Sequence, residues 1–172
     1  MRKKENNMKY CSKCGNELNT EHIDGSTRYV CSSEACGFIF WNNPIPVVAA
    51  LVMLNDKYII ARNASWPKSI FSVITGYLEE GENPEDAVLR EVSEELGLSG
   101  NIRRHIGNYT FKEKNQVILC YEVEASGNIS TNHELAEIKE LSASEFSEYD
   151  FSPLYITEKI KHDWSNLYFK SA

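Results

Sequence analysis

No run of 18 apolar residues occurs anywhere in the 172-residue sequence, so no membrane-spanning helix is expected. No apolar stretch follows the basic opening MRKKENNMKY, which therefore does not read as a signal peptide, and a cytoplasmic location is expected. Bases are scarce as well: 18 lysines and arginines stand against 25 aspartates and glutamates, for a net charge of −7. That balance excludes a general phosphate-backbone binder, whose footprint would be a basic face, and nucleic acid is not expected as a default partner. Internal repeats and low-complexity tracts are missing too. With 42% hydrophobic and 25% charged residues, the chain has the makings of an ordinary globular core.

Aliphatic residues are sparse over 11–36, a segment that nevertheless carries four of the five cysteines. From Val47 onward the pattern is that of a core-forming domain. The expected organisation is a disordered tail over 1–9, a small cysteine module over 10–41 and a main domain over 42–172. VVAALVML (47–54) reads as a buried strand whose hairpin partner is YIIAR (58–62) across the turn at 55–57. Further strands are expected at 71–75, 101–111, 116–125 and around 137–141, with a helical turn near 144–149. A helix is expected over 153–169 with Pro153 at its first position. The clearest element is a helix over 84–96. Asn83 suits its N-cap, Pro84 its first turn and Gly97 its C′ position, while Val88, Leu89, Val92 and Leu96 share one arc. The fold class is α/β (mixed α+β).

The cysteines run Cys11-x2-Cys14 and, sixteen residues later, Cys31-x4-Cys36. Two close pairs separated by a hairpin-sized loop let four thiolates converge on Zn²⁺ in a closed, structural site. Glycine follows each pair, at Gly15 and Gly37, and frees the backbone to turn around the metal. Two disulfides and four unbound buried thiols are the alternatives. The first needs an oxidising compartment that nothing in the sequence suggests, and the second needs an apolar surround that this polar segment lacks. Cys120, in an apolar strand, reads as a small core residue.

The acid is clustered. Residues 76–98 hold eight carboxylates against the single base Arg90, and so sum to the net charge of the whole chain. Glu91, Glu94 and Glu95 fall at i, i+3 and i+4 and share one helical arc beside the apolar one. Crowded carboxylates raise one another's pKa unless a cation sits among them, and hard oxygen ligands select Mg²⁺ or Mn²⁺. Arg90 flanks this arc and can reach Glu82 in the preceding loop.

From Gly76 the sequence GYLEEGENPEDAVLREVSEELGL fits G-x5-E-x7-R-E-U-x-E-E-x-G-U, with U aliphatic, at Gly76, Glu82, Arg90, Glu91, Val92, Glu94, Glu95, Gly97 and Leu98. This resembles the box of the Nudix hydrolases. A cysteine ribbon ahead of such a box is similar to the zinc-ribbon branch of that family, the branch of the NADH pyrophosphatases. The resemblance implies a mixed sheet sandwiched between helices and hydrolysis of a diphosphate bond in a nucleoside diphosphate derivative. It also implies metal ligation by Glu91, Glu95 and Glu94, with the backbone carbonyl of Thr75, and an Arg90–Glu82 pair that holds the loop to the helix. A further glutamate from a facing loop is implied as well, and Glu134 in NHEL is the choice. The tryptophan- and proline-rich motif of that branch is absent, since the equivalent stretch reads GNYTFKEKN (107–115), so the substrate is left as ADP-ribose, NADH, FAD or a dinucleoside polyphosphate. Trp41, Tyr77 and Phe111 are candidates for holding the base. A homodimer is plausible by the same resemblance. Two rivals stand: a nucleotide sensor that does not cleave, and an RNA-cap hydrolase that uses the ribbon. Residues 16–30 carry only Arg28 as a base against Glu17, Glu21 and Asp24, which disfavours the latter.

Overall fold

The structure is a computed structural model that describes residues 8–170, and it divides into two compact units between Asn43 and Pro44. Residues 1–7 of the tail expected over 1–9 lie outside the described residues. The carbonyl of Lys9 accepts the Leu18 N–H at 2.9 Å. The first unit is a three-stranded antiparallel sheet, β1 (Leu18–Ile23), β2 (Ser26–Cys31) and β3 (Ile39–Phe40), in the order β1-β2-β3.

The second unit is built on a strand that faces core on both sides. In β4 (Ile45–Leu54), Val47, Ala49, Leu51 and Met53 point to one core, while Val48, Ala50, Val52 and Leu54 point to the other. A continuous apolar run at period two makes both faces apolar, so each must be covered by helices. The other strands are β5 (Lys57–Asn63), β6 (Ile74–Tyr77), β7 (Ser99–Phe111), β8 (Gln116–Ser126) and β9 (Leu135–Leu141). The sheet order is β7-β8-β4-β5-β9, with β4 and β8 parallel and the other pairs antiparallel. Helix α1 (Pro84–Leu96) covers one face with Ala87, Val88, Val92 and Leu96. Helices α2 (Ala143–Glu148) and α3 (Tyr155–Lys170) cover the other with Phe146, Ile156, Ile160 and Trp164. The sheet is thus mixed and lies between helices, as expected. None of the described helices is long and apolar enough to cross a membrane.

Three local expectations need correcting. The strand expected over 71–75 lies at Ile74–Tyr77, where it pairs with residues 47–50 of β4; Phe71 and Val73 are core residues outside any strand, and Ser72 makes only a bridge to Ala61. The β-branched run FSVIT suggests a strand by composition, whereas the pairing goes to the stretch that takes over the β4 edge once β5, which holds only residues 52–54 there, has diverged. Asn83 has the extended backbone of an N-cap but no capping bond; its amide donates instead to Asp86 at 3.1 Å. Pro153 precedes α3, which begins at Tyr155. Gly97 ends α1 in the left-handed conformation, φ 67°, with its N–H on the Ser93 carbonyl.

Candidate functional site

Thr75, Gly76 and Tyr77 lie on β6, which leads through the loop at 78–83 into α1. Arg90 on α1 fastens that loop. Its Nε and Nη2 donate to the two Glu82 oxygens at 2.8 and 2.9 Å, and Nη2 also reaches the Tyr77 carbonyl at 3.0 Å. Its Nη1 meets Glu91 Oε1 at 2.8 Å and Glu94 Oε2 at 3.1 Å. The guanidinium holds the Glu82 carboxyl below the usual carboxylate range. One planar cation thus ties loop, strand and helix together, which a lysine point charge would not do.

An open cleft of about 870 Å³ is lined by Thr75, Gly76, Glu91, Glu94, Glu95 and Glu134. Glu95 is 8% exposed, and no hydrogen bond or ion pair reaches its carboxylate among the described residues. Burial first, then the charges of Glu91, Glu134 and Glu94, push its pKa up to about 7. Burial likewise raises Glu91, against the opposing pull of Arg90, and Glu94 and Glu134 add to the rise. These mutual shifts place the four carboxylates in one electrostatic neighbourhood. Glu134 arrives from another direction: its loop is sewn to the end of α1 by Ser130 N–H to the Leu96 carbonyl (2.8 Å) and Asn132 N–H to the Glu95 carbonyl (3.2 Å). On its other side the Glu134 carbonyl accepts the Ala64 N–H at 2.7 Å. A buried, unpaired carboxylate facing three others is a donor set for a hard divalent cation.

Gly76 makes room for this set. A Cβ built there would stand 1.8 Å from Glu91 Cδ, so no side chain fits while Glu91 keeps its place. Tyr77, Phe111, Ile118 and Tyr155 add an apolar and aromatic lining to the same cleft, and Trp66 lies beside Thr75, Glu95 and Glu134. Of the residues expected to hold the base, Tyr77 and Phe111 are there. Trp41 belongs to the first unit, where the Arg28 guanidinium lies 5.3 Å above its ring and donates to its carbonyl. Tyr155 and Gln116 were missed by sequence reasoning. Tyr155 looked like the start of an amphipathic helix. Gln116 did leave a signal: it shares strand parity with Ile118 and Cys120, so it is a polar residue on an apolar face.

In the first unit, the Cys11, Cys14, Cys31 and Cys36 sulfurs all lie within 4.8 Å of one another, and none of the five cysteines is in a disulfide. The Cys11–Cys36 and Cys14–Cys31 separations are 3.8 and 3.4 Å. A tetrahedron with Zn–S arms of about 2.3 Å has edges of roughly 3.8 Å, so the cluster fits a zinc site. Backbone N–H groups of Lys13 and Ser33 point at Cys11 and Cys31 Sγ, as thiolate ligands require. Cys120 is fully buried in the second unit, apart from this cluster.

A family model for the NUDIX domain matches residues 44–159, and the chain belongs to this family of pyrophosphohydrolases. Within the family it is related to proteins that carry NAD(P)H pyrophosphatase and NAD-capped RNA hydrolase names. It is 32% identical over 132 residues to the mitochondrial NAD(P)H pyrophosphatase NUDT13 of Mus musculus, covering 76% of this chain and 36% of that protein. It is 25% identical over 161 residues to the NAD-capped RNA hydrolase NudC of Pseudomonas fluorescens, covering 93% and 55%. The chain therefore spans about a third to a half of the length of these relatives. In fold it is similar to a NUDIX hydrolase from Nitrosomonas europaea, with a TM-score of 0.74 and 22% identity over 92% of this chain and 89% of that one. Members of the family generally use divalent metals.

Two outcomes follow from this geometry. The folded pKa of Glu95 lies above its ordinary 4.5, so its contribution to stability is complete below about pH 4.5 and is lost as pH rises through about 7. In chelator, the wild-type melting temperature should fall across that window, and Glu95→Gln should remove the fall and gain on the order of 2–3 kcal/mol at pH 8. Parallel melting curves for the two proteins would contradict the burial argument. Separately, Gly76→Ala should weaken Mn²⁺ binding in calorimetry about as much as Glu91→Gln does. Unchanged affinity would show that Glu91 does not need the space.

Proposed function

We propose that the protein is a Mg²⁺- or Mn²⁺-dependent hydrolase of nucleoside diphosphate derivatives such as ADP-ribose, NADH, FAD or a dinucleoside polyphosphate. It would yield a nucleoside monophosphate and the other phosphorylated half. The observation that carries this reading is one continuous cleft lined by four carboxylates and by aromatic rings. A hard divalent ion bound by those carboxylates would neutralise diphosphate oxygens and acidify a water. Half-buried Glu91 and buried Glu95 would be the inner ligands, Glu94 and Glu134 stand nearer solvent, and the Thr75 carbonyl would complete the set. Arg90, through Glu82, keeps the loop and the strand in register with the helix. Attack by water at one phosphorus breaks the P–O–P bond, and Glu94 or Glu134 takes the proton, because these two carboxylates are the exposed ones. Tyr77 and Phe111 flank the base.

The relatives' NAD-capped RNA hydrolase names raise a second substrate, the capped end of an RNA. The acidic ribbon segment over 16–30 argues for the free nucleotide as the better substrate, and rates on an NAD-capped oligonucleotide against free NADH would decide. The four cysteines hold a structural zinc in the same reading.

Incubation with the nucleotide panel and Mg²⁺ or Mn²⁺ should give two phosphorylated products, identified by mass. Glu95→Gln should lower turnover on the order of a hundredfold or more while the protein stays folded. No cleavage of any panel member by the wild type would instead favour a sensing module. Native mass spectrometry should find one zinc per chain, and Cys14→Ser should lose it together with amide protection over β1 and β2 while hydrolysis persists. Full protection in the zinc-free protein would defeat the structural-zinc reading.

A further inference from the structure

The aromatic lining of the cleft contains a buried amide that hydrolysis itself does not use. Gln116 is the first residue of β8, only 7% exposed, and it lines the cleft beside Ile118. Its Nε2 donates one hydrogen to Tyr77 Oη at 3.2 Å, while Oε1 accepts no hydrogen bond among the described residues. With one hydrogen spent on Tyr77, the amide keeps its oxygen and its second hydrogen for whatever enters the cleft. Around it stand rings and aliphatic surface. Tyr77 lies across β4 from Ile118, both being paired with Val47. Phe111 is the β7 partner of Gln116. Tyr155 closes on Phe111 edge-on, with centroids 6.1 Å apart and planes at 83°, and its hydroxyl reaches Glu113 at 3.3 Å.

The occupant that fits is a flat ring with a hydrogen-bond donor and an acceptor side by side on its rim. Gln116 Oε1 would accept from an exocyclic amine, and its second Nε2 hydrogen would go to the neighbouring ring nitrogen, the arrangement by which a glutamine amide pairs with adenine. A carboxamide on a pyridine ring offers the same pair. Position agrees as well. Tyr77 is two residues along β6 from Thr75, roughly 7 Å at about 3.4 Å per residue, which leaves room for a ribose between ring and carboxylates. We propose that Gln116, anchored by Tyr77, is the specificity-determining residue that reads the donor–acceptor edge of the substrate's ring. This rests on reading the cleft as a nucleotide site.

The test is binding, so it does not depend on turnover. With Mg²⁺ present, calorimetric titrations would compare AMP, purine riboside 5′-monophosphate (the same ring without its amine), nicotinamide mononucleotide and ribose 5-phosphate. The wild type should bind AMP or nicotinamide mononucleotide about threefold to tenfold more tightly than the purine analogue, and whichever is preferred identifies the source of the edge. Gln116→Leu should erase that preference and leave ribose 5-phosphate unchanged. Tyr77→Phe, which frees the amide without removing it, should erase part of the preference and keeps the test available if the leucine variant does not fold. Equal binding of AMP, nicotinamide mononucleotide and the purine analogue by the wild type, or an equal loss for all ligands in Gln116→Leu, overturns the proposal. Gln116-dependent selectivity without any hydrolysis would uphold it while removing the hydrolase reading. Hydrolysis without selectivity would do the reverse.

Discussion

Like charges gathered in a half-dry wall repel, and each also loses hydration, so the carboxylate lining of the cleft is held in place against its own electrostatics. Glu91 and Glu95, one turn apart on α1, are drawn toward the sheet by the same helix whose Val88, Val92 and Leu96 are fully buried. The apolar arc supplies the driving force, and the acidic arc comes with it because the two are fixed to one cylinder. Arg90 relieves Glu82, Glu91 and Glu94 directly. Glu95 has no such relief, and it is the carboxylate whose proton affinity rises to about 7. Its raised pKa reflects burial and crowding that no neighbouring cation of the chain offsets.

This explains which parts were legible in the sequence. The helix and its acids were readable because helical spacing is local: Pro84 and Gly97 mark the ends, and i, i+3, i+4 sets the face. The cysteine pairs were readable for the same reason. Where tertiary pairing decides, local pattern misled. FSVIT has the composition of a strand, yet the paired residues are Ile74–Tyr77, which include a glycine that no strand propensity would choose. That glycine is there because Glu91 lies against it, a contact between residues fifteen apart that only the folded chain displays.

Glu134 and Gln116 mark the intermediate case. The NHEL stretch suggested a facing loop through resemblance, but its placement comes from backbone bonds to the Leu96, Glu95 and Ala64 peptides, which have no side-chain signature. Gln116 could be noticed as a polar residue with inward parity, although parity alone does not say whether such a residue is a reader of ligands or a structural tie. The same strand contains one of each. Glu122, six residues on and of the same parity, is wholly buried, and its partners are all protein: Tyr58 Oη at 2.6 Å, Trp164 Nε1 at 3.2 Å and Arg104 Nε at 2.8 Å.

That second polar position bears on the first. A carboxylate with no exposure is tolerated only when it is paired, and here Tyr58 of β5 and Trp164 of α3 donate to Oε1 while Arg104 of β7 forms an ion pair with Oε2, so pairing Glu122 fixes α3 against the sheet. Trp164 contributes the largest fully buried side chain of the core as well as the indole N–H, so apolar packing and polar tie act at one residue. Two further ties agree in direction: Tyr109 Oη donates to Asp163 at 3.0 Å, and the Ser72 and Thr157 hydroxyls meet at 2.9 Å beneath the cleft. The helix held in this way begins at Tyr155, whose ring meets Phe111 edge-on in the cleft lining. Glu122, six residues along β8 from Gln116, thus helps anchor the helix whose first ring lines the cleft, and the reading amide and the structural carboxylate serve one cleft from one strand.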